Sequence, residues 1–228
     1  MGTSIRHTAI YQRRRGVNLA AAAVGLGAAY AWLGDTLPAV GAPAGNWVDV
    51  VGGVAATLGG TGTTSGTLAG QPCIVLNGSG RYVATFPETL AQPFSIVSVS
   101  RRTGATTSFP HIHDGLDASN RAMLSHNNTF QTFEASGGGA INGPATATAT
   151  VVALVDYAGA NGRIRINGAE TTGNIGTNSI AGLVIGQRFN LANGMIGTIG
   201  ALVIFPAATI ANAATFAALA QQAYGITP

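Results

Sequence analysis

Apolar residues in the second half of the chain recur in short runs that are separated by tight-turn signals. Residues 151–156 form an almost continuous apolar run, and residues 163–167 alternate polar with apolar side chains. Such alternation places one face of a strand on a core and the other toward water. Asn-Gly dipeptides at 161–162 and 167–168 tolerate the positive φ of a type I′ turn. The pattern predicts consecutive antiparallel strands.

The last residues of the chain change to a helical period. The apolar positions Phe216, Leu219, Ala220, Ala223 and Tyr224 fall on one face of a helix. Gly225 follows at the position where a helix C-terminal cap favours glycine. We therefore predict a short C-terminal helix that packs on the preceding strands.

Further apolar runs, including 73–76, 81–86 and 94–101, raise the expected number of short strands to roughly 11 to 14, enough for two stacked sheets. Residues 36–70 are rich in Gly, Thr, Ala and Pro and favour long loops with short edge strands. A length of 228 residues suits one sandwich domain. The single cysteine, Cys73, excludes an intramolecular disulfide and fits a small core residue.

The N-terminal segment allows three interpretations. Residues 1–15 are basic, and residues 16–34 carry no charge, which is typical of a signal peptide and close to the length of a membrane span. The run is mostly Ala and Gly, however, so its insertion energy is marginal. We expect no membrane span and no nucleic-acid binding. We predict that residues 1–29 form an assembly arm, through Arg6, Arg13, Arg14, Arg15, Leu19 and Leu26, and that residues 30–228 fold without them.

Several stretches occur in the order found in a known superfamily. They are Trp32-Leu33, Trp47-Val-Asp49, the His-rich segment 109–121, Arg163-Ile-Arg-Ile-Asn-Gly168, Leu183-Val-Ile-Gly186, the run 193–205, and the closing Leu219-Ala-Gln-Gln-Ala-Tyr-Gly-Ile226. This order resembles the concanavalin A-like lectin/glucanase superfamily, in the laminin-G-like form found in bacteriophage virion proteins. The resemblance covers roughly residues 30–228. It implies an all-β, two-sheet antiparallel jelly-roll sandwich with the predicted arm and C-terminal helix.

The resemblance also implies a function. We expect a non-enzymatic structural component of a phage-like virion, as a head decoration, head-fibre or minor tail protein. It would dock onto capsid or tail proteins through its arm, form homo-oligomers and display the sandwich for adhesion to host glycans. The alternative is a carbohydrate-binding module that is secreted or displayed at the cell surface, with residues 1–31 as its signal peptide.

Hydrolases of the superfamily carry a Glu-x-Asp-x-Glu strand, which this chain lacks, so we expect no enzymatic activity. Sugar binding in such folds uses an exposed aromatic residue with Asp, Asn and Arg on loops, and the candidates are Asp117, Asn120, Arg121, Tyr157 and Asn161. His111, His113 and Asp114 are the candidate metal ligands, with Asp117 as a further one. Asp114, Asp117 and Asn120 could instead supply oxygen atoms to calcium; otherwise we expect no cofactor.

Overall fold

A computed structural model describes residues 16–61, 63–105, 109–127, 132–145 and 149–227. Within these ranges there are sixteen strands and two α-helices. The strands are β1 (Tyr30–Leu33), β2 (Trp47–Val48), β3 (Ala55–Gly59), β4 (Thr64–Leu68), β5 (Gln71–Asn77), β6 (Arg81–Leu90), β7 (Phe94–Ala105), β8 (His111–Asp114), β9 (Met123–His126), β10 (Thr132–Ser136), β11 (Ala140–Ala145), β12 (Val151–Tyr157), β13 (Gly162–Ile166), β14 (Ala169–Gly173), β15 (Ile180–Ile185) and β16 (Met195–Phe205). The helices are α1 (Leu19–Gly25) and α2 (Asn212–Tyr224).

The strands form two antiparallel sheets. The first sheet has the order β14-β13-β12-β7-β16-β5-β4, and β1 pairs with the half of β16 beyond the residues that pair with β5. The second sheet has the order β11-β10-β9-β8-β15-β6-β3-β2. This architecture confirms the prediction of an all-β, two-sheet antiparallel sandwich with a C-terminal helix.

The main core lies between the two sheets and is densest around the aromatic residues of the N-terminal strands. Tyr30 stacks on Phe86 with ring centroids 4.3 Å apart, and the fully buried Trp47 meets Tyr82 edge-on at 5.8 Å. The Trp47 indole N–H donates to Leu33 O at 2.8 Å, so its polar group is satisfied within the core. Trp32 is fully buried as well, so both tryptophans of the chain are structural anchors.

Asp49 joins β1 to the turn that follows β2. Its buried carboxylate accepts hydrogen bonds from the backbone N–H groups of Ala31 (2.5 Å), Val51 (2.9 Å) and Gly52 (2.6 Å). Three amide donors to one carboxylate balance the cost of removing it from water. The Trp-x-Asp sequence thus builds a turn that holds the first strand in place.

A second core covers the outer face of the first sheet. Because α1 and α2 pack there, β12 is buried on both faces, which explains its continuous apolar run. Phe216, Ala220, Ala223 and Tyr224 of α2 are buried, and Gly225 ends the helix with φ +65°, both as expected. Cys73 also lies in this core, and burial raises the pKa of its thiol to about 12.

Residues 16–29 of the predicted assembly arm pack in this second core of the same chain. Leu19 and Ala23 of α1 are buried, and Leu26 packs against the same cluster. The side chains of Asn212 and Thr209 donate to Leu26 O and Gly27 O at 2.8 and 2.7 Å. Arg6, Arg13, Arg14 and Arg15 lie outside the described residues, so an assembly role for them stays a prediction.

The packing of β1 also bears on the signal-peptide alternative. A cleavage after Ala31 would divide β1, whose four residues are all buried and pair with β16. The sandwich as described needs those residues in the mature chain. In the part of the chain that the structure describes, neither α-helix is long and apolar enough to cross a membrane.

Four charged residues lie on β12, β13 and β14, which form one edge of the first sheet. Asp156 accepts from Ser95 Oγ at 2.5 Å and from Arg163 Nε at 2.6 Å. Glu170 on the edge strand pairs with Arg165 at 2.6 Å and with Arg163 at 3.4 Å. These side chains form a charged ladder across three neighbouring strands.

Candidate functional site

Three loops at one end of the sandwich enclose a shallow groove of about 480 Å³, which we call the loop-end groove. They are the β6–β7, β12–β13 and β14–β15 connections. The groove is lined by Ala91, Gln92, Pro93, Ala158, Gly159, Asn161, Thr177 and Ser179. None of these side chains carries a charge, and none is aromatic.

Gln92 holds the three loops together. Its Oε1 accepts from Gly159 N at 2.7 Å, and its Nε2 donates to Asn178 O at 2.9 Å. Ile175 N donates to Gly159 O at 3.0 Å, which adds a backbone link between two of the loops. One amide side chain thus uses both of its polar atoms to fix the shape of the groove before a ligand arrives.

The β10–β11 turn supports the groove from below through contacts that only glycine permits. Gly137 N and Gly139 N both donate to Ile175 O, and Asn178 N donates to Gly137 O. A Cβ atom on Gly176 would lie 2.1 Å from Gly139 N and 2.4 Å from Gly137 O. The two loops therefore touch backbone to backbone.

Replacing Gly176 should open this contact. Gly176→Ala places a methyl group inside the facing backbone at a φ of +86°, so we expect the free energy of unfolding to fall by about 3 kcal/mol. The matched control is Gly159→Ala. There φ is +59°, but the new Cβ would meet only Thr177 Cγ2, at 3.7 Å, and the expected loss is about 1 kcal/mol. Urea unfolding measures both, and equal losses would argue against the close contact.

The chemistry of the groove suits a neutral, hydroxyl-rich ligand. Asn161 is exposed at the groove, and its side chain makes no hydrogen bond with another described residue. Its amide can therefore donate to and accept from a ligand without breaking an internal contact. Thr177 and Ser179 add hydroxyl groups, while Ala91, Pro93 and Ala158 add apolar surface.

The structure separates the residues that the sequence grouped as a sugar site. Asn161 lines the groove. Asp117 and Asn120 lie on the neighbouring 115–122 loop, which Asn178 joins to the groove through a 3.1 Å bond from its Nδ2 to Ala118 O. Asp117 accepts from the backbone N–H of Asn120 at 2.8 Å and from its side chain at 3.0 Å, so this carboxylate stabilises its own loop.

The prediction that Tyr157 is an exposed aromatic residue for sugar binding is wrong. The ring is fully buried and stacks on Phe94 at 5.0 Å, and its hydroxyl donates to Met123 O at 2.8 Å. Burial raises its pKa well above the ordinary value. Tyr157 follows Val151, Ala153 and Val155 on the inward face of β12, so it lies below the groove and supports it.

The candidate metal ligands do not form a metal centre. His113 is fully buried and its Nδ1 lies 2.8 Å from Ala122 O, while His111 Nδ1 lies 2.7 Å from Phe109 O. The Asp114 carboxylate pairs with Arg121 at 3.0 Å and accepts from Gly115 N at 2.9 Å. Across the described ranges, no group of three His, Cys, Asp or Glu side chains could hold a metal ion. Calcium binding by oxygen atoms of Asp114, Asp117 and Asn120 stays a prediction.

No sequence pattern singled out Gln92, Thr177 or Ser179 as groove residues. These residues come from loops that are distant in the chain, and their polar side chains show no periodic pattern. The only local signal was the Gly-rich composition of 137–139 and 173–176, which is typical of turns but does not say which turns meet.

Comparison with known proteins finds the same sandwich fold in domains of several solved structures. No protein-family model and no curated sequence matches the chain. Domain 4 of the extracellular GH43 arabinanase AbnA from Geobacillus stearothermophilus, solved with arabinotriose, is 15% identical, with a TM-score of 0.58 over 74% of this chain and 91% of that domain.

Two larger enzymes share the sandwich. A GH54 α-L-arabinofuranosidase soaked with 4-nitrophenyl α-L-arabinofuranoside is 13% identical, with a TM-score of 0.57 over 77% of this chain. Trypanosoma rangeli sialidase in complex with sialic acid is 14% identical, with a TM-score of 0.54 over 85% of this chain. The chain spans 50% of the first enzyme and 33% of the second. These distant similarities show the fold.

Proposed function

We propose that this chain is a non-enzymatic, lectin-like carbohydrate-binding domain of the concanavalin A-like type, and that its loop-end groove binds a neutral glycan. The observation that carries the proposal is the groove itself. It presents the unpaired amide of Asn161 and two hydroxyl groups on loops that Gln92 fixes in place. Neutral hydrogen-bonding groups beside small apolar surfaces are suited to sugar hydroxyls and ring carbons.

The lining of the groove supports binding without catalysis. Glycoside hydrolysis needs two carboxyl groups on either side of the scissile bond. The groove is lined by no Asp or Glu. The similarity to a domain solved with arabinotriose adds weight to glycan binding and suggests arabino-oligosaccharides as the first ligands to try.

The setting of this domain is part of the proposal. We favour a carbohydrate-binding module of a secreted or surface-displayed protein, since the structures described above belong to carbohydrate-active enzymes, one of them named as extracellular. A virion component that attaches to host glycans would use the same groove. That role, its capsid or tail partners and its homo-oligomers stay predictions from the sequence.

Calorimetric titration of the full chain with arabinotriose and a panel of neutral oligosaccharides tests the groove. We expect at least one to bind, and Asn161→Ala to raise its Kd about tenfold, because one amide with up to two hydrogen bonds is lost. Gln222→Ala is the matched control, since Gln222 is exposed on α2 over the opposite face of the first sheet. Binding to no neutral glycan, or equal affinities for the two variants, would contradict the proposal.

A further inference from the structure

Phe189 lies in the loop that joins β15 to β16, and two arginine side chains lie over its ring. The guanidinium carbons of Arg121 and Arg188 are 5.7 and 5.2 Å from the centroid of Phe189. Each contact is a favourable cation–π interaction. Two positive charges near one ring also repel each other, so the cluster favours additional negative charge.

Among the described residues, a carboxylate pairs with only one of the two arginines. Asp114 accepts from Arg121 Nε at 3.0 Å and from Arg121 Nη2 at 3.4 Å. Burial raises the pKa of the Asp114 carboxyl, and the Arg121 guanidinium opposes that shift. His111 adds no charge near neutral pH, because burial lowers its pKa to about 4.

Arg188 has no such partner in the part of the chain that the structure describes. Among the described residues no carboxylate forms a salt bridge with it, and its Nε atom is buried without a hydrogen-bond acceptor. A desolvated guanidinium N–H without an acceptor is costly, and a carboxylate is the acceptor whose geometry matches the guanidinium fork. The cluster thus lacks one anion.

The loop that carries Arg188 and Phe189 is firmly anchored. Its backbone is bonded from Arg188 N to Ala192 O and from His111 N to Asn193 O, each at 3.0 Å. At its tip Leu191 is 52% exposed and has a φ of +65°, a left-handed conformation that costs a branched residue energy. Strained backbone that a rigid loop maintains is concentrated at ligand-binding sites.

We propose that Arg188, Phe189 and Arg121 form a second binding site, which takes the carboxylate of an acidic sugar such as a uronic acid. The carboxylate would pair with Arg188, and the apolar face of the sugar ring would lie against Phe189 or Leu191. This site stands apart from the loop-end groove and does not depend on it. Arg121 ends the 115–122 loop, which is bonded to the groove through Asn178, so a long glycan could contact both sites.

Titration of the full chain with trigalacturonate in low and high salt tests this site. We expect binding that weakens as the salt concentration rises. Arg188→Gln should raise the Kd at least tenfold, because the positive charge and the bidentate hydrogen-bonding geometry of the guanidinium group are both lost. Arg188→Lys keeps the charge and should give an intermediate Kd. Arg101→Gln removes the same charge from an exposed position on β7 and should change the Kd less than twofold. Thermal unfolding checks that each variant is folded.

The two proposed sites can fail separately. Asn161→Ala should leave trigalacturonate affinity unchanged if the second site exists, whatever it does to neutral glycans. The second site is overturned if the wild-type chain does not bind trigalacturonate, or if Arg188→Gln and Arg101→Gln weaken binding equally. It is also overturned if a triglutamate peptide binds as tightly as trigalacturonate, because that would indicate an acidic-peptide site.

Discussion

Deletion of residues 1–31 is expected to abolish cooperative folding of the domain. The deletion removes α1 and half of β1, and with them the buried side chains of Leu19 and Tyr30. It also removes the Ala31 N–H group, which donates a hydrogen bond to the Asp49 carboxylate. Loss of a buried leucine costs about 2–5 kcal/mol and loss of a large aromatic side chain about 3–5 kcal/mol. Together these losses are comparable to the whole stability of a typical domain, about 5–15 kcal/mol.

Deletion of residues 1–15 is the matched truncation. The side-chain hydrogen bonds from Asn212 and Thr209 to Leu26 O and Gly27 O, which hold the end of α1 against α2, are left in place by this deletion. We therefore expect this shorter deletion to keep a thermal midpoint within about 4 °C of the full chain, which corresponds to a free-energy change under about 1 kcal/mol. Circular dichroism melting measures both. A cooperative transition in the 1–31 deletion would instead support a detachable arm or signal peptide.

Acidification from pH 7 to pH 4.5 is expected to destabilise the fold through three buried histidines. Burial lowers the pKa of His111 and His113 to about 4 and that of His126 to about 3. Free histidine titrates near 6.5, so between about pH 6.5 and 4 the unfolded chain binds protons that the folded chain excludes. The free energy of unfolding therefore decreases as the pH is lowered, by about 2 kcal/mol for each imidazole at pH 4.5.

The neighbouring groups of these histidines support that direction. Arg102 lies near His126, and Arg121 and Arg188 lie near His111, so protonation would add positive charge beside existing cations. Asp114 works in the opposite sense, because its raised pKa means that its protonation favours the folded state as the pH falls.

Urea unfolding at pH 7 and pH 4.5 measures this loss. In His126→Asn, the loss of unfolding free energy between pH 7 and pH 4.5 should be about a third smaller than in the unmodified chain, because one of the three histidines that exclude a proton is removed. The comparison is made within each variant, so a change in absolute stability does not affect it. A free energy of unfolding that is constant between these pH values would contradict burial of neutral histidines.

The hydrophobic periodicity and turn residues of the sequence predicted the parts of the fold that depend on interactions within one segment. The apolar face of α2 and the glycine after it, and the strands around 151–156 and 163–167, are fixed by periodicity and by turn residues in the same segment. Tyr157 could also have been placed correctly, since it continues the alternation of Val151 and Val155 and so faces inward.

Tertiary contacts determined the parts that the pattern missed. The Gly- and Thr-rich residues 36–70 were expected to be mainly loops, yet they include β3 and β4, which gain their structure by pairing with β6 and β5. Residues 16–29 were assigned to an arm because their Ala-rich composition does not show that α2 would cover them. The groove depends on Gln92 meeting residues more than sixty positions away, which no local signal reveals.

The charged ladder from Asp156 to Glu170 has a consequence for self-association. Only 8% of the residues are charged, against 46% hydrophobic, and β14 ends a sheet whose unpaired backbone could recruit a strand from another molecule. Arg163, Arg165 and Glu170 place three charges at that border, each on a side chain that is 30–33% exposed. Stacking a second sheet edge there would strip water from them. Neutral substitutions in this ladder should therefore shift the chain from a dispersed solution toward fibrous aggregates, well before the fold itself is lost.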